Sequence, residues 1–146
     1  MRRLNLLLMG NNPIEMGFIL EKIQHVRDHG KITTEIAFDV KSLFERLSGF
    51  NPNFIIIDDN IGREELSGTI LALAAKRKTR NIPIAVLKNS NYEESNSSGS
   101  ILDFVLKQNF TPESLVNSMK NAFKFRRTQI SLSRAYIKRK KLQLTK

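Results

Sequence analysis

The chain has 146 residues, of which 40% are hydrophobic and 26% charged, as in one globular domain, and it lacks cysteine, which excludes disulfides, thiolate metal sites and cysteine nucleophiles. The net charge is +10, and residues 120–146 carry all of it, with ten lysines and arginines and no acid. No apolar stretch reaches the ~20 residues of a membrane span, and the basic start leads straight into a strand, so we expect no secretory signal and a cytoplasmic location.

Five short apolar runs alternate with helical patterns along the chain. The predicted strands are Leu4–Met9, Thr34–Phe38, Asn53–Ile57, a run from Ile82-Pro83 to Leu87, and Leu102–Leu106. Runs of this kind are typical of parallel strands that are buried on both faces. The second strand alternates polar and apolar residues, which suits an edge strand.

Helices are predicted between the strands. Asn12 and Pro13 begin the first, whose apolar stripe is Met16, Ile19, Leu20, Ile23 and Val26. The second is about Lys41–Ser48, and the third is about Arg63–Arg77. The last turn of the third is expected to hold Lys76, Arg77 and Lys78, whose charges suit the negative end of the helix dipole. Residues 89–100 are predicted to form a loop, and Thr111-Pro112-Glu113 begins the last helix with Thr111 as its N-cap. The alternation predicts an α/β fold with a parallel sheet of right-handed βαβ units.

Polar residues follow four of the five strands. Because ligands of open α/β sheets bind at the carboxyl ends of the strands, these residues form the predicted site. They are Gly10, Asn11 and Asn12 after the first strand, Asp58 and Asp59 at the third, Lys88 and Ser90 after the fourth, and Lys107 after the fifth. Of these four strand ends, only the third offers carboxylates.

Four segments in this order resemble the receiver domain of two-component response regulators. They are LLLMGNNP (6–13), NPNFIIIDDNIG (51–62), NIPIAVL (81–87) and LDFVLKQNFTPESL (102–115). The resemblance covers about residues 4–125. It implies a flavodoxin-like five-stranded parallel sheet of order 2-1-3-4-5, with helices 1 and 5 on one face and helices 2, 3 and 4 on the other.

The resemblance also implies phosphoryl transfer from the phosphohistidine of a sensor histidine kinase to an aspartate that ends strand 3. Asp58 matches this phosphoacceptor and Lys107 matches the lysine that holds the phosphoryl oxygens, while Mg²⁺ would neutralise the incoming group. Asp59 is the second choice, because its side chain would point away if the strand continued. The same residues would also be compatible with a simple ion pair between Asp58 and Lys107.

The metal pocket departs from the family pattern. Gly10 and Asn11, with Asn12 next, stand where the family usually has two acids, so Mg²⁺ is expected to bind only weakly, at Asp58. These asparagines would also suit ordinary loop positions.

The phosphoryl-binding positions depart as well. Lys88 replaces the family's threonine or serine, with Ser90 two residues on, and Lys88 and Lys107 together could neutralise Asp58 without a metal. Phe104, at the position of the switch aromatic, lacks a hydroxyl. These differences predict an atypical or degenerate receiver.

The C-terminal residues 126–146 are predicted to be a basic, helical extension of a domain that ends near residue 125, with its charges on a solvated face. Short strands at 129–133 and 142–144, or disorder, are the alternative. Apolar residues recur every seven positions, but the second row is mostly polar, so only weak self-association is expected. The apolar positions are Val116, Phe123, Ile130, Ile137 and Leu144. The run of residues 138–141 could contact phosphates of nucleic acid or an acidic lipid surface.

We therefore expect a phosphorelay signalling protein of the receiver type that turns over no small molecule. One alternative is a degenerate, phosphorylation-independent receiver that acts as a protein-interaction adaptor. Another is a nucleic-acid or membrane-surface binder that works through residues 120–146.

Overall fold

Five parallel strands form one sheet in the order β2-β1-β3-β4-β5, which confirms the predicted fold and strand order. The computed structural model describes residues 4–24, 32–88 and 101–106, and beyond these 111, 113–114, 117–118, 120–121, 124, 132 and 134–139. The strands are β1 Leu4–Met9, β2 Ile32–Ala37, β3 Phe54–Asp58, β4 Ile84–Lys88 and β5 Ile101–Leu106. The helices between them are α1 Pro13–Gln24, α2 Val40–Leu47 and α3 Arg63–Ala75, with a 3-10 turn at Asp59–Ile61.

Helices cover both faces of the sheet. Alternate residues of β1, β3 and β4 pack against α1 through Met16, Ile19 and Ile23. The intervening strand residues pack against α2 and α3 on the opposite face. Each fully buried aliphatic or aromatic side chain of this kind contributes roughly 1.5–3 kcal/mol, so the two clusters hold the central strands in a fixed register. The predicted loop at 89–100 lies outside the described residues, and the face that the last helix covers remains a prediction.

The third helix is shorter than predicted. It ends at Ala75, because Lys76 has an extended backbone (φ −99°, ψ 134°) and Thr79 donates its hydroxyl to the carbonyl of Leu73 at 2.6 Å. The expectation that Lys76, Arg77 and Lys78 form the last turn of this helix is therefore wrong.

Two of these lysines contact α2. Lys78 donates from Nζ to the carbonyl of Leu47 at 2.6 Å, at the end of α2. Lys76 places its Nζ 3.9 Å from the centre of the Phe44 ring. The basic segment after α3 therefore joins the two helices on this face of the sheet.

Side-chain caps fix the beginnings of three helices. Asn12 accepts from the backbone N–H groups of Ile14 and Glu15 at 3.1 and 3.2 Å and so caps α1. Asp39 and Ser42 form a reciprocal capping box at α2. Thr111 accepts from the backbone N–H of Ser114 at 3.1 Å, while the Ser114 hydroxyl accepts from the Thr111 N–H at 2.8 Å, which confirms the predicted N-cap.

Residues 113–114, 117–118, 120–121 and 124 are helical, and so are 132 and 134–139. The helical character of the extension as a whole and the domain boundary near residue 125 remain predictions. Within the described part of the chain, no helix is both long and apolar enough to cross a membrane.

Candidate functional site

The ends of three neighbouring strands bring the candidate residues to one edge of the sheet. Met9 pairs with Ile57, which brings Gly10 level with Asp58. On the other side of β3, Asp58 pairs with Leu87, and Lys88 follows as the last residue of β4. Asp58 thus ends the central strand, with the candidate residues of β1 and β4 beside it.

Asp58 is fully buried, with 0% of its surface exposed. Its backbone is still extended, and Oδ1 accepts from the backbone N–H of Asn60 at 3.0 Å, which caps the 3-10 turn that follows. Asp59 belongs to this turn and is half-buried, so the expectation that it would alternate outward along a continuing strand does not apply. The turn ends at Gly62, whose φ of 98° favours glycine.

Asn60 connects three elements around Asp58. Its backbone carbonyl accepts from Asn11 Nδ2 at 3.0 Å, and its side-chain Oδ1 accepts from the Asn11 backbone N–H at 3.4 Å. Its Nδ2 donates to Glu15 Oε2 on α1 at 3.1 Å. We call these bonds, with the one to Asp58, the Asn60 clamp. It joins the loop after β1, the first turn of α1 and the turn after β3.

Gly10 is buried between Asp58 and α1. A Cβ atom at this position would lie 2.6 Å from Met16 Sδ and 3.2 Å from the Cβ of Asp58. An acidic side chain here would have to displace the methionine thioether, which is the end of a flexible side chain, and would lie close to Asp58. Gly10 is therefore explained by close packing as well as by the loss of an acid, and Asn12 is explained by its role as the cap of α1.

Lys88 is 8% exposed and lies beside Leu106 of β5. The alternation of side chains assigns it to the face of Val86, which packs against α2 and α3. Asp58 continues the alternation of Ile56, which packs against α1. The pairing of Lys88 with Asp58 remains a prediction.

Three predicted site residues lie wholly or partly outside the described structure. Lys107 and Ser90 lie outside the described residues. The backbone of Phe104 pairs with Val86 in β5, while its side chain lies outside the description. Their predicted roles therefore remain predictions.

Comparison with solved structures identifies the fold. The chain matches a sensor protein from Polaromonas sp. JS666 with a TM-score of 0.72 and 15% identity, over 86% of this chain and 99% of that one. It matches the chemotaxis response regulator CheY4 of Vibrio cholerae with a TM-score of 0.65 and 18% identity, over 83% and 99%. A receiver domain of a sensor histidine kinase from Pseudomonas aeruginosa, with magnesium in its active-site cleft, matches with a TM-score of 0.67 and 14% identity, over 83% and 98%.

The chain has the fold of a receiver domain. The resemblance inferred from the four sequence segments is confirmed at this level. No protein-family model matches the sequence. No curated protein matches it either. At identities of 14–18%, the solved structures show the shared receiver fold alone.

The residues at this edge offer Mg²⁺ fewer charged ligands than two acids after β1 would, which leaves the carboxylates of Asp58 and Asp59. Mg²⁺ requires near-octahedral oxygen ligands and is usually bound through carboxylates. Gly10 offers no ligand, Asn12 Oδ1 caps α1, and the Asn60 carbonyl accepts from Asn11. Among the described residues, no cluster of three acidic, histidine or cysteine side chains could hold a metal. The weak binding of Mg²⁺ at Asp58 remains a prediction.

Sequence reasoning did not identify Asn60, Glu15 or Met16 as site residues. Met16 was assigned to the apolar stripe of α1, where it does belong, but its contact with position 10 depends on how α1 packs on the sheet. A signal for the turn was present at Asp58, because an aspartate side chain often accepts from the backbone N–H two residues on, but nothing local indicated the side-chain bonds of Asn60.

Proposed function

We propose that this chain is a receiver-type signalling module that binds a partner protein without accepting a phosphoryl group. The packing of Gly10 and Met16 against the buried Asp58 carries the proposal. The partner would be a sensor histidine kinase or another signalling protein. The proposal includes no turnover of a small molecule.

The burial of the Asp58 carboxylate supports this function. A phosphohistidine must bring its phosphorus atom to a carboxylate oxygen of the acceptor, and Asp58 exposes none of its surface. The charge of an incoming phosphoryl group must also be neutralised. With Gly10 and Asn11 at the end of β1, the site lacks the acids that would recruit a divalent cation for this purpose.

The Asn60 clamp also supports the proposed function. The loop after β1, the first turn of α1 and the turn after β3 are joined by hydrogen bonds to the backbone and the side chain of one residue, in addition to the pairing of β1 with β3. In the proposed function, the clamp keeps the edge of the sheet in one arrangement, and the partner recognises a constant surface of the domain.

Phosphorylation of Asp58 is the second candidate function. It is favoured by the position of Asp58 at the end of β3, where Oδ1 already accepts an N–H bond and Lys88 follows in the neighbouring strand. In that reaction, a carboxylate oxygen of Asp58 would form the P–O bond as the P–N bond to the kinase histidine breaks.

Intact-mass measurement distinguishes the two functions. The full chain is incubated with a small phosphodonor and Mg²⁺, and Asp58→Asn serves as the control. We expect no added phosphoryl group in either protein. An addition that occurs in the unmodified chain and is absent from Asp58→Asn would overturn the proposal in favour of phosphoryl transfer.

A further inference from the structure

The C-terminal extension presents large apolar side chains to solvent. Leu132, Tyr136 and Ile137 are 66%, 61% and 53% exposed. Residues 132 and 134–139, which we call the tail helix, are helical, and every one of them is exposed. Burying such side chains is favourable, so an apolar surface of this kind is suited to a contact.

The tail helix is amphipathic. Leu132 and Tyr136 are four residues apart and therefore share a face of the helix, which Ile137 widens on one side. Arg134 and Lys138 are also four apart and lie on the opposite face, because they are offset by two residues from the apolar pair. Arg139 flanks the apolar face, where its long aliphatic stem can lie along a contact while the guanidinium reaches water.

The charge of this region has one sign. Residues 120–146 contain ten lysines and arginines and no acid, whereas the preceding 119 residues are neutral. A surface that binds this region must therefore be negative, and it must also accept apolar side chains. We propose that the tail helix binds an acidic lipid surface, with Leu132, Tyr136 and Ile137 in the acyl boundary and the basic residues at the headgroups.

Two other occupants satisfy only one of these requirements. Nucleic acid would use the positive charges through phosphate contacts, but those contacts leave the exposed leucine and isoleucine unused. A second copy of the chain would bury the apolar residues, but it would bring two strongly positive segments together. An acidic membrane uses the apolar face and the charge at once, as interfacial helices do.

Vesicle flotation of the full chain tests the proposal. Vesicles of phosphatidylcholine with phosphatidylserine are compared with vesicles of phosphatidylcholine alone. We expect binding to the acidic vesicles only, and we expect it to weaken as salt is raised. Failure to bind the acidic vesicles at low salt, or equal binding to both kinds, would overturn the proposal.

Two triple variants separate the apolar contribution from the charge. Leu132→Gln with Tyr136→Gln and Ile137→Gln keeps every cation, and glutamine retains a good helix propensity. Arg134→Gln with Lys138→Gln and Arg139→Gln keeps the apolar face. Removing three cations should weaken vesicle binding on the order of 100-fold, at about fivefold for each. The apolar variant should weaken it at least roughly tenfold, since three side chains no longer enter the lipid.

Matched controls come from the body of the domain. Leu71→Gln removes a leucine of α3 that is 65% exposed, and Arg77→Gln removes an exposed cation after α3. Neither control should change vesicle binding.

If the apolar variant binds vesicles as well as the unmodified chain, the proposal is wrong. Duplex DNA binding in place of vesicle binding, lost only in the charge variant, would assign the tail helix to nucleic acid. Self-association lost only in the apolar variant would assign it to a second copy.

Discussion

Gly10 and Asp58 lie in contact at the ends of two adjacent strands, and a Cβ atom on Gly10 would come within 3.2 Å of the Asp58 Cβ. Met16 lies at the same place, because its sulfur would be 2.6 Å from the Cβ atom added at Gly10. The first turns of α1 therefore press a thioether into the place where a side chain from β1 would stand. The glycine at position 10 therefore allows Met16 to pack closely beside the buried Asp58.

A double-mutant cycle measures this packing. Gly10→Ala should lower the free energy of unfolding by about 1–3 kcal/mol, because the added methyl group overpacks the site. Met16→Ala alone should cost about 2–5 kcal/mol, through the cavity it leaves. In the double variant, the methyl group added at position 10 enters space vacated by the sulfur, so the combined cost in urea unfolding should fall short of the sum by at least about 0.5 kcal/mol.

Gly17→Ala is the control for that cycle. Gly17 lies on α1, and a Cβ atom added there would meet nothing within 4 Å, so alanine should stabilise the protein by about 0.4–1 kcal/mol. Strict additivity of the Gly10 and Met16 changes would show that the two residues do not compete for space.

The same competition for space predicts a change in magnesium binding. Gly10→Asp with Asn11→Asp should gain magnesium binding in a calorimetric titration only once Met16 is shortened.

The Asn60 clamp should contribute to stability and to local order. Asn60→Ala removes the donor to Glu15 and the side-chain acceptor for the Asn11 N–H. We expect a loss of about 1–2 kcal/mol in urea unfolding. The amide hydrogen of Asn11 should exchange faster, because its acceptor is gone. Asn51→Ala changes an exposed asparagine at the opposite end of β3 and should leave the exchange of Asn11 unaltered.

Lys78 should stabilise the contact between α2 and the segment after α3. Its Nζ donates to the Leu47 carbonyl at 2.6 Å, at a helix end where carbonyls lack intrahelical partners. Lys78→Met keeps the aliphatic stem and removes the donor, and it should lower the free energy of unfolding by about 1 kcal/mol. Arg77→Met removes the adjacent exposed cation and should cost less than half as much. Equal costs would indicate a general charge effect.

The capping box of α2 predicts a pH dependence. The backbone N–H of Ser42, and then its hydroxyl, lower the pKa of Asp39 from the usual value, because both bonds favour the carboxylate. The stabilisation is complete above the unfolded-state pKa of about 3.9 and is lost as the pH falls through the lower folded-state value. Asp39→Asn retains a side-chain cap but does not titrate. The stability difference between the two proteins, measured by urea unfolding, should therefore change only at acid pH.

The strands were predictable because their signal is local. Leu6 to Met9 and Phe54 to Ile57 are continuous apolar runs, as expected for strands with helices on both faces, and the structure buries all of them. Their order placed Asp58 and Gly10 at one edge. The contacts around Asp58 were not predictable in the same way, because they depend on how distant elements pack. Lys78 and Leu47 are 31 residues apart, and nothing near either residue in the sequence indicates the bond.

The core should fold without the C-terminal extension. The residues of both apolar clusters in the described structure lie between Leu6 and Val86 or Leu87, and residues 134–139 are exposed throughout. A chain that ends at residue 125 should therefore unfold cooperatively in urea, with a free energy of unfolding within about 0.5 kcal/mol of that of the full chain. Its circular dichroism should show fewer helical residues, since the tail helix is removed. An unchanged helix content would show that the extension is not helical in solution, and a fragment that fails to fold would place the extension in the core.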